Sequence, residues 1–135
     1  MRVPVPQVFP LRTSLRGLLV HALGAWALSA ALLVLLVASF ERMVASALFT
    51  LGAPALSGLI AARYFRRGTS EEPVAGALGF TAIAAVLDAM LAAGVGGQAE
   101  LLHPAFGFSL PLLLVFGTTG LIGELVRPGR RPQVR

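Results

Sequence analysis

The chain contains no cysteine and no lysine, and only 13% of its 135 residues are charged. The missing cysteines exclude disulfides, thiolate metal sites and thiol redox chemistry. Soluble globular domains have about a quarter of their residues charged, so this low charge content argues against a water-soluble fold. Hydrophobic residues make up 56% of the chain, and its mean hydropathy is +0.82. The composition therefore indicates an integral membrane protein.

Four apolar runs are long enough to cross a bilayer, whose hydrocarbon core of about 30 Å requires roughly 20 helical residues. They cover approximately residues 18–40, 43–62, 74–95 and 105–126. The chain must reverse at the pair Glu41-Arg42, because one helix through the first two runs would be far longer than the core is thick. The prediction is an all-α, single-domain transmembrane four-helix bundle.

All eleven basic residues are arginines, and their distribution predicts the orientation. Arg42 lies between the first two runs, and the other ten lie in segments that share one side of the membrane. Cytoplasmic segments are enriched in basic residues, so both tails, residues 1–13 and 127–135, are predicted to be cytoplasmic. We expect a multi-pass protein of a bacterial inner membrane with the lipid bilayer as a partner. Because the arginines flank apolar runs, they do not indicate nucleic-acid binding.

The third run carries small residues at every fourth position, which allows another helix to approach closely. This small-residue stripe comprises Ala77, Thr81, Ala85, Ala89 and Ala93. It predicts either packing within the bundle or contact with a second copy or a membrane protein partner, and the sequence leaves both open. Pro54 and Pro111 predict kinks in the second and fourth helices, because proline removes a backbone donor.

Asp88 is the one acidic residue deep inside an apolar run. It lies 14 residues after Val74, or about 20 Å along a helix. A charged residue at the centre of a span costs about 2.5–3.5 kcal/mol, so Asp88 is the leading functional candidate. Residue counting places Thr50, Ser109 and His103 in the same half of the bilayer. If these side chains face Asp88, they form a polar pocket; otherwise Asp88 bonds the Thr50 carbonyl and locks two helices together.

The sequence lacks the features that several classes of function require. His21 and His103 lie near opposite faces of the membrane, which excludes a haem held by both, and we expect no cofactor. The sequence has no nucleophile elbow, phosphate loop or zinc-helix motif, so we predict neither an enzyme nor a metal site. Small multidrug resistance exporters have a glutamate in their first helix, which this chain lacks. Dual-topology fluoride channels require a weak charge bias, unlike the one found here.

Short motifs in the second half of the chain resemble uncharacterised four-span bacterial membrane proteins. They are Leu87-Asp88-Ala89, a glycine-rich loop after the third run, Phe106-Gly107 and Leu121-Ile122-Gly123. The resemblance covers roughly the last 60 residues. It implies a four-helix membrane fold and no particular activity.

Two functions follow from these observations. The first is a non-enzymatic scaffold or partner subunit that uses the small-residue stripe as its association surface. The alternative is a small transporter or permeation protein in which Asp88 binds a proton or cation beside Thr50, Ser109 and His103. The sequence favours the scaffold, because coupled transport ordinarily needs more charged groups inside the membrane than one acidic residue.

Overall fold

A computed structural model describes residues 11–67, 72–95 and 109–126. These residues form the α-helices α1 (Leu11–Ser39), α2 (Arg42–Arg66), α3 (Pro73–Val95) and α4 (Ser109–Val126). Each helix contains a segment that is long and apolar enough to cross a membrane, namely Leu15–Ser39, Arg42–Arg66, Pro73–Leu91 and Ser109–Val126. The prediction of an all-α fold with four membrane-length helices is therefore confirmed.

The connection between α1 and α2 consists of Phe40 and Glu41. The Phe40 N–H donates to the Leu36 carbonyl at 2.9 Å, and the Ala45 N–H donates to the Glu41 carbonyl at 2.8 Å. Helical hydrogen bonds therefore continue up to both sides of the turn, and the chain reverses without glycine or proline. The turn lies one residue before the predicted pair, and Arg42 is the first residue of α2.

The helices pack in a ring in the order α1, α2, α4, α3. Both α2 and α3 contact α1 and α4, and the α1–α3 contact is the least extensive of these. The bundle has a hairpin end, where α1 ends and α2 begins. It also has an arginine end, where α2 finishes with Arg63, Arg66 and Arg67 and α3 begins. Helices that are consecutive in the sequence therefore run in opposite directions, whereas the neighbours α2 and α4 run in the same direction.

Two glycines allow close approach between helices. A Cβ atom on Gly58 of α2 would lie only 2.6 Å from Ile122 Cδ1 of α4. A Cβ atom on Gly123 of α4 would lie 2.7 Å from Pro73 Cβ of α3 and 2.9 Å from Phe65 Cε2 of α2. At both glycines the side chains of a neighbouring helix pack directly against the backbone, a mode of close van der Waals packing by which helices associate in lipid.

The small-residue stripe of α3 winds around the helix. Exposure increases along it, from buried Ala77 through half-buried Thr81 and Ala85 to exposed Ala89 and Ala93. An α-helix has 3.6 residues per turn, so a step of four residues drifts by about 40°, and Ala93 lies about 160° around the helix from Ala77. One end of the stripe therefore packs inside the bundle, while the other lies on its outside.

The two prolines within helices differ in position. Pro54 is buried in the middle of α2. Because it has no N–H, the carbonyl of Thr50 lacks the donor that a helix ordinarily supplies. Pro111 is the third residue of α4, and in the first turn of a helix a missing N–H costs no helical hydrogen bond. Residues 105–108, which the sequence predicts to belong to the fourth span, lie outside the described residues.

The buried side chains form two apolar clusters. The arginine-end cluster consists of Leu18, Ala22, Ala25, Ala61, Tyr64, Phe65 and Phe80. Its rings pack edge to face, with the Tyr64 centroid 5.2 Å from Phe65 and 5.9 Å from Phe80. The hairpin-end cluster consists of Leu33, Phe49 and Ala53. The two clusters hold the ends of the bundle and leave a space between them.

Candidate functional site

A cavity of about 50 Å³ lies between the two apolar clusters. Its wall includes side chains from all four helices. The aromatic and polar side chains among them are Trp26 and Ser29 of α1, Phe49 and Ser57 of α2, and Phe80 and Asp88 of α3. Helical spacing explains their convergence, because residues three, four or seven apart share one face of a helix. Alanines complete that wall, and their small side chains leave the space.

Asp88 supplies a charge to the cavity wall. Only 4% of its surface is exposed, and it lies seven residues before the end of α3, or about 10 Å from the hairpin end. It is the one charged side chain among the residues that line the cavity. An acidic side chain buried in an apolar helix is by default a functional candidate. The position of Asp88 therefore makes it a candidate proton- or cation-binding group.

Two serine hydroxyls accompany the carboxylate. Ser29 is 7% exposed and Ser57 is 4% exposed, so both are almost as deeply buried as Asp88. A hydroxyl oxygen has two lone pairs, and it keeps acceptor capacity when its hydrogen is donated elsewhere. Oxygen-bearing side chains from α1, α2 and α3 thus line one cavity. Among the described residues, no three His, Cys, Asp or Glu side chains come together to hold a metal ion.

Trp26 contributes a buried hydrogen-bond donor that has no acceptor among the described residues. Its indole Nε1 is buried and has no hydrogen-bond partner within the described part of the chain. The indole N–H can only donate, and buried donors in native proteins almost always have an acceptor. The cavity that Trp26 lines is large enough to hold water. A water oxygen there can accept the indole hydrogen bond.

Phe80 forms the boundary between the cavity and the arginine-end cluster. On its other side lies Tyr64, whose ring packs 5.4 Å from His21. His21 Nδ1 lies 2.7 Å from the Gly17 carbonyl, and because a carbonyl can only accept, this nitrogen carries the hydrogen. The aromatic ring of Phe80 thus separates Asp88 from a tyrosine–histidine pair.

Of the residues that the sequence places near Asp88, the two that the structure describes do not line the cavity. Thr50 is buried, and its hydroxyl donates to the Ser46 carbonyl of its own helix at 2.8 Å. Neither Thr50 nor Ser109 lines the cavity, and Ser109 is exposed at the start of α4. His103 lies outside the described residues.

Residue counting in the sequence missed Ser29, Ser57 and Trp26. The count gave depth along the helices, and the contacts of Phe65 with Gly76 and Gly123 agree with it, since they place Asp88 near the level of Thr50. It gave no rotation about the helix axes, and rotation decides which side chains face the cavity. The sequence feature that could have indicated Ser29 and Ser57 is the presence of serine hydroxyls inside otherwise apolar runs.

No family model matches the chain, and comparisons with curated proteins and with solved structures also find no match. The resemblance to uncharacterised four-span membrane proteins therefore stays a prediction.

Proposed function

We propose that this protein is a small permeation or transport protein of a bacterial inner membrane, in which Asp88 binds a proton or a cation. The observation that carries the proposal is the cavity beside the buried carboxylate. Unfilled volume in a protein core costs about 24 cal/mol per Å³, so a bundle needs a reason to leave it. A site for a small ligand is such a reason.

The charge of Asp88 supports the same function. Proton or cation binding neutralises a carboxylate whose burial in a span is unfavourable. Asp88 lies about 10 Å along α3 from the end of the helix at Val95. Phe80 lines the cavity on the side of the arginine-end cluster. Entry from the hairpin end and exit past Phe80 would carry an ion through the bundle.

The arginines support an orientation with the arginine end in the cytoplasm. Arg16, Arg63, Arg66 and Arg67 are exposed near this end, whereas Arg42 begins α2 at the hairpin end. Basic residues favour the cytoplasmic side, so both termini are cytoplasmic in this proposal. Asp88 is then approached from outside the cell.

The alternative function is a non-enzymatic scaffold or partner subunit. It draws on Ala89 and Ala93, small residues that α3 leaves exposed toward the hairpin end and that a second copy or a partner helix can contact closely. This function accounts for the outside of α3, and Asp88 can serve it as a lock between two helices, but it gives no role to the cavity. We therefore rank it second.

Ion flux into proteoliposomes tests the proposal. Proton entry is followed with a trapped pH-sensitive dye, and cation entry with radioactive sodium, each under an imposed membrane potential. We expect flux above that of protein-free vesicles, reduced to the protein-free level by Asp88→Asn. Glu124→Gln is the matched control, because it neutralises an acidic residue that is exposed and does not line the cavity.

Two outcomes contradict the transport function. One is equal flux through the wild type and Asp88→Asn. The other is a wild-type protein that is helical by circular dichroism yet carries neither ion. The second outcome, with co-purification of a membrane partner that Ala89→Leu abolishes, favours the scaffold.

A further inference from the structure

We infer that a groove between α1 and α2 at the arginine end binds one anionic phospholipid, whose phosphate is held by Arg63 and Arg67. An acyl chain of the lipid lies in the groove and extends toward the middle of the bundle. The inference goes beyond the proposed function, because it requires the protein to lie in a membrane but requires no ion flux. It is carried by the direction of the two arginines, by their charge and by the space beside them.

Two contacts define the face of α2 that points toward α1. A Cβ atom on Gly52 of α2 would lie 2.7 Å from Leu32 Cδ2 of α1. Nearer the arginine end, a Cβ atom on Gly17 of α1 would lie 3.6 Å from Tyr64 Cε2 of α2. Because each residue turns a helix by about 100°, Gly52 and Tyr64 point in directions about 120° apart. The face of α2 between these two directions is its α1-facing sector.

Arg63 and Arg67 belong to the α1-facing sector. At about 100° per residue, Arg63 points about 20° and Arg67 about 60° from the direction of Gly52 toward that of Tyr64. Arg66 points about 40° to the other side of Gly52, so it lies outside the sector. The helical geometry therefore places two of the three clustered arginines along the groove and directs the third away from it.

The two groove arginines suit an anionic oxygen group. Both side chains are exposed, and they are four residues apart, so their guanidinium groups are neighbours on the helix surface. Within the described part of the chain, neither guanidinium forms an ion pair. Guanidinium groups bind phosphate through charge-assisted and often bidentate hydrogen bonds. One phosphate between Arg63 and Arg67 would offset the repulsion of the two like charges.

The groove beside the arginines has room for a hydrocarbon chain. On α1, Gly17 and Gly24 are half-buried and seven residues apart, so they share one face of the helix. A Cβ atom on Gly24 would meet nothing within 4 Å. On α2, the half-buried apolar residues Leu56 and Ile60 belong to the α1-facing sector. The groove therefore continues from the arginines along apolar walls toward the middle of the bundle.

The depth of the arginines favours a phospholipid over a free phosphate. Pro54 lies halfway along α2, and Arg63 is nine residues beyond it, or about 13 Å. Half of the hydrocarbon core of a bilayer measures about 15 Å, and long basic side chains reach outward from helix ends to the headgroups. A free phosphate would occupy only the charged end of the groove. A phospholipid occupies the charged end and the apolar walls together.

Native mass spectrometry of the purified protein in detergent micelles tests the inference. Phosphatidylglycerol is the probe, and phosphatidylcholine with the same acyl chains is the comparison lipid without net charge. We expect one phosphatidylglycerol per protein to be retained at concentrations where phosphatidylcholine is not. A basic residue near a membrane surface contributes about 1 kcal/mol to binding of anionic lipid, or about fivefold in affinity. Arg63→Gln and Arg67→Gln should therefore each weaken the binding about fivefold.

Arg66→Gln is the matched control, because it removes the same charge from the same end of the bundle but outside the α1-facing sector. It should weaken phosphatidylglycerol binding by less than about twofold, since a charge that does not touch the phosphate is screened by salt. Gly24→Leu tests the groove without changing a charge. The space beside Gly24 accepts the new side chain, so circular dichroism should show a folded protein, while the acyl chain loses its place and binding weakens.

Four outcomes overturn the inference. Equal losses in Arg66→Gln and Arg63→Gln would indicate diffuse attraction to the arginine end and no defined site. Equal retention of phosphatidylglycerol and phosphatidylcholine would remove the role of net charge. Displacement of the lipid by excess inorganic phosphate would indicate an anion site that needs no lipid, and unchanged binding in Gly24→Leu would remove the groove. None of these measurements involves ion flux, so a failure of the proposed function in proteoliposomes would leave the lipid site standing.

Discussion

Alanine at Gly123 should destabilise the bundle, whereas alanine at Gly117 in the same helix should not. The new methyl group at position 123 would lie 2.7 Å from Pro73 Cβ and 2.9 Å from Phe65 Cε2. Carbon atoms pack best at about 3.5–4.0 Å, so the neighbours must move by nearly 1 Å. Neither can do so cheaply, because one atom belongs to a proline ring and the other to a buried aromatic ring.

The expected loss of stability follows from comparing the unfolding free energies of Gly123→Ala and Gly117→Ala, because the gain in helix propensity is the same in both and cancels. Replacing glycine by alanine inside a helix gains roughly 0.5–1 kcal/mol, and this gain is shared by both variants because both residues lie in α4. A Cβ atom at Gly117 would meet nothing within 4 Å. Overpacking costs about 1–3 kcal/mol, so the free energies of unfolding of the two variants should differ by that amount.

Unfolding in mixed micelles of increasing sodium dodecyl sulfate, followed by Trp26 emission and by circular dichroism, measures this difference. The Gly117→Ala protein should match or exceed the wild type, and the Gly123→Ala protein should unfold at a lower detergent fraction. Equal midpoints for the two variants would refute the close packing of α4 against α3 and α2 at the arginine end.

Three further substitutions separate packing from function. Ala84→Val fills part of the cavity. We expect the free energy of unfolding in the detergent titration to stay unchanged or to rise by up to about 1 kcal/mol, and the ion flux in proteoliposomes to fall. Unchanged flux would contradict the proposed site. Phe80→Ala should cost about 3–5 kcal/mol in the same titration and join the cavity to the space beside Tyr64. Thr119→Val should change stability by less than about 1 kcal/mol, because the hydroxyl donates to the Val115 carbonyl of its own helix; a larger loss would indicate a partner on another helix.

Hydropathy was sufficient to predict the four membrane-length helices, because an apolar run can satisfy its backbone polar groups within one segment only as a helix. Hydropathy predicted the ends of the helices less well. The second span is predicted to stop at residue 62, yet α2 continues to Arg66. Arginine is a good helix former, and its long side chain reaches solvent from the end of an apolar helix, so a charge does not end a helix.

The site could be predicted only in part. Asp88 stands out in the sequence because the cost of burying a carboxylate depends on its depth alone. Its neighbours could not be found in the same way, because depth does not specify which face of a helix they occupy. Thr50 and Phe49 are adjacent in sequence, but one residue turns the helix by about 100°. Phe49 lines the cavity, whereas Thr50 does not.

The cavity and the acidic residue are each unfavourable for folding, and they occur together. About 50 Å³ of unfilled space corresponds to roughly 1.2 kcal/mol, and an acidic residue in mid-span to about 2.5–3.5 kcal/mol. Domains are stable by only about 5–15 kcal/mol, so these two features use a considerable fraction of that total. A packing fault alone explains a space, and a helix lock alone explains an acid, but neither explains why serine hydroxyls and an indole N–H line the same space. The proposed proton or cation permeation would account for the space, the acid and the polar lining together.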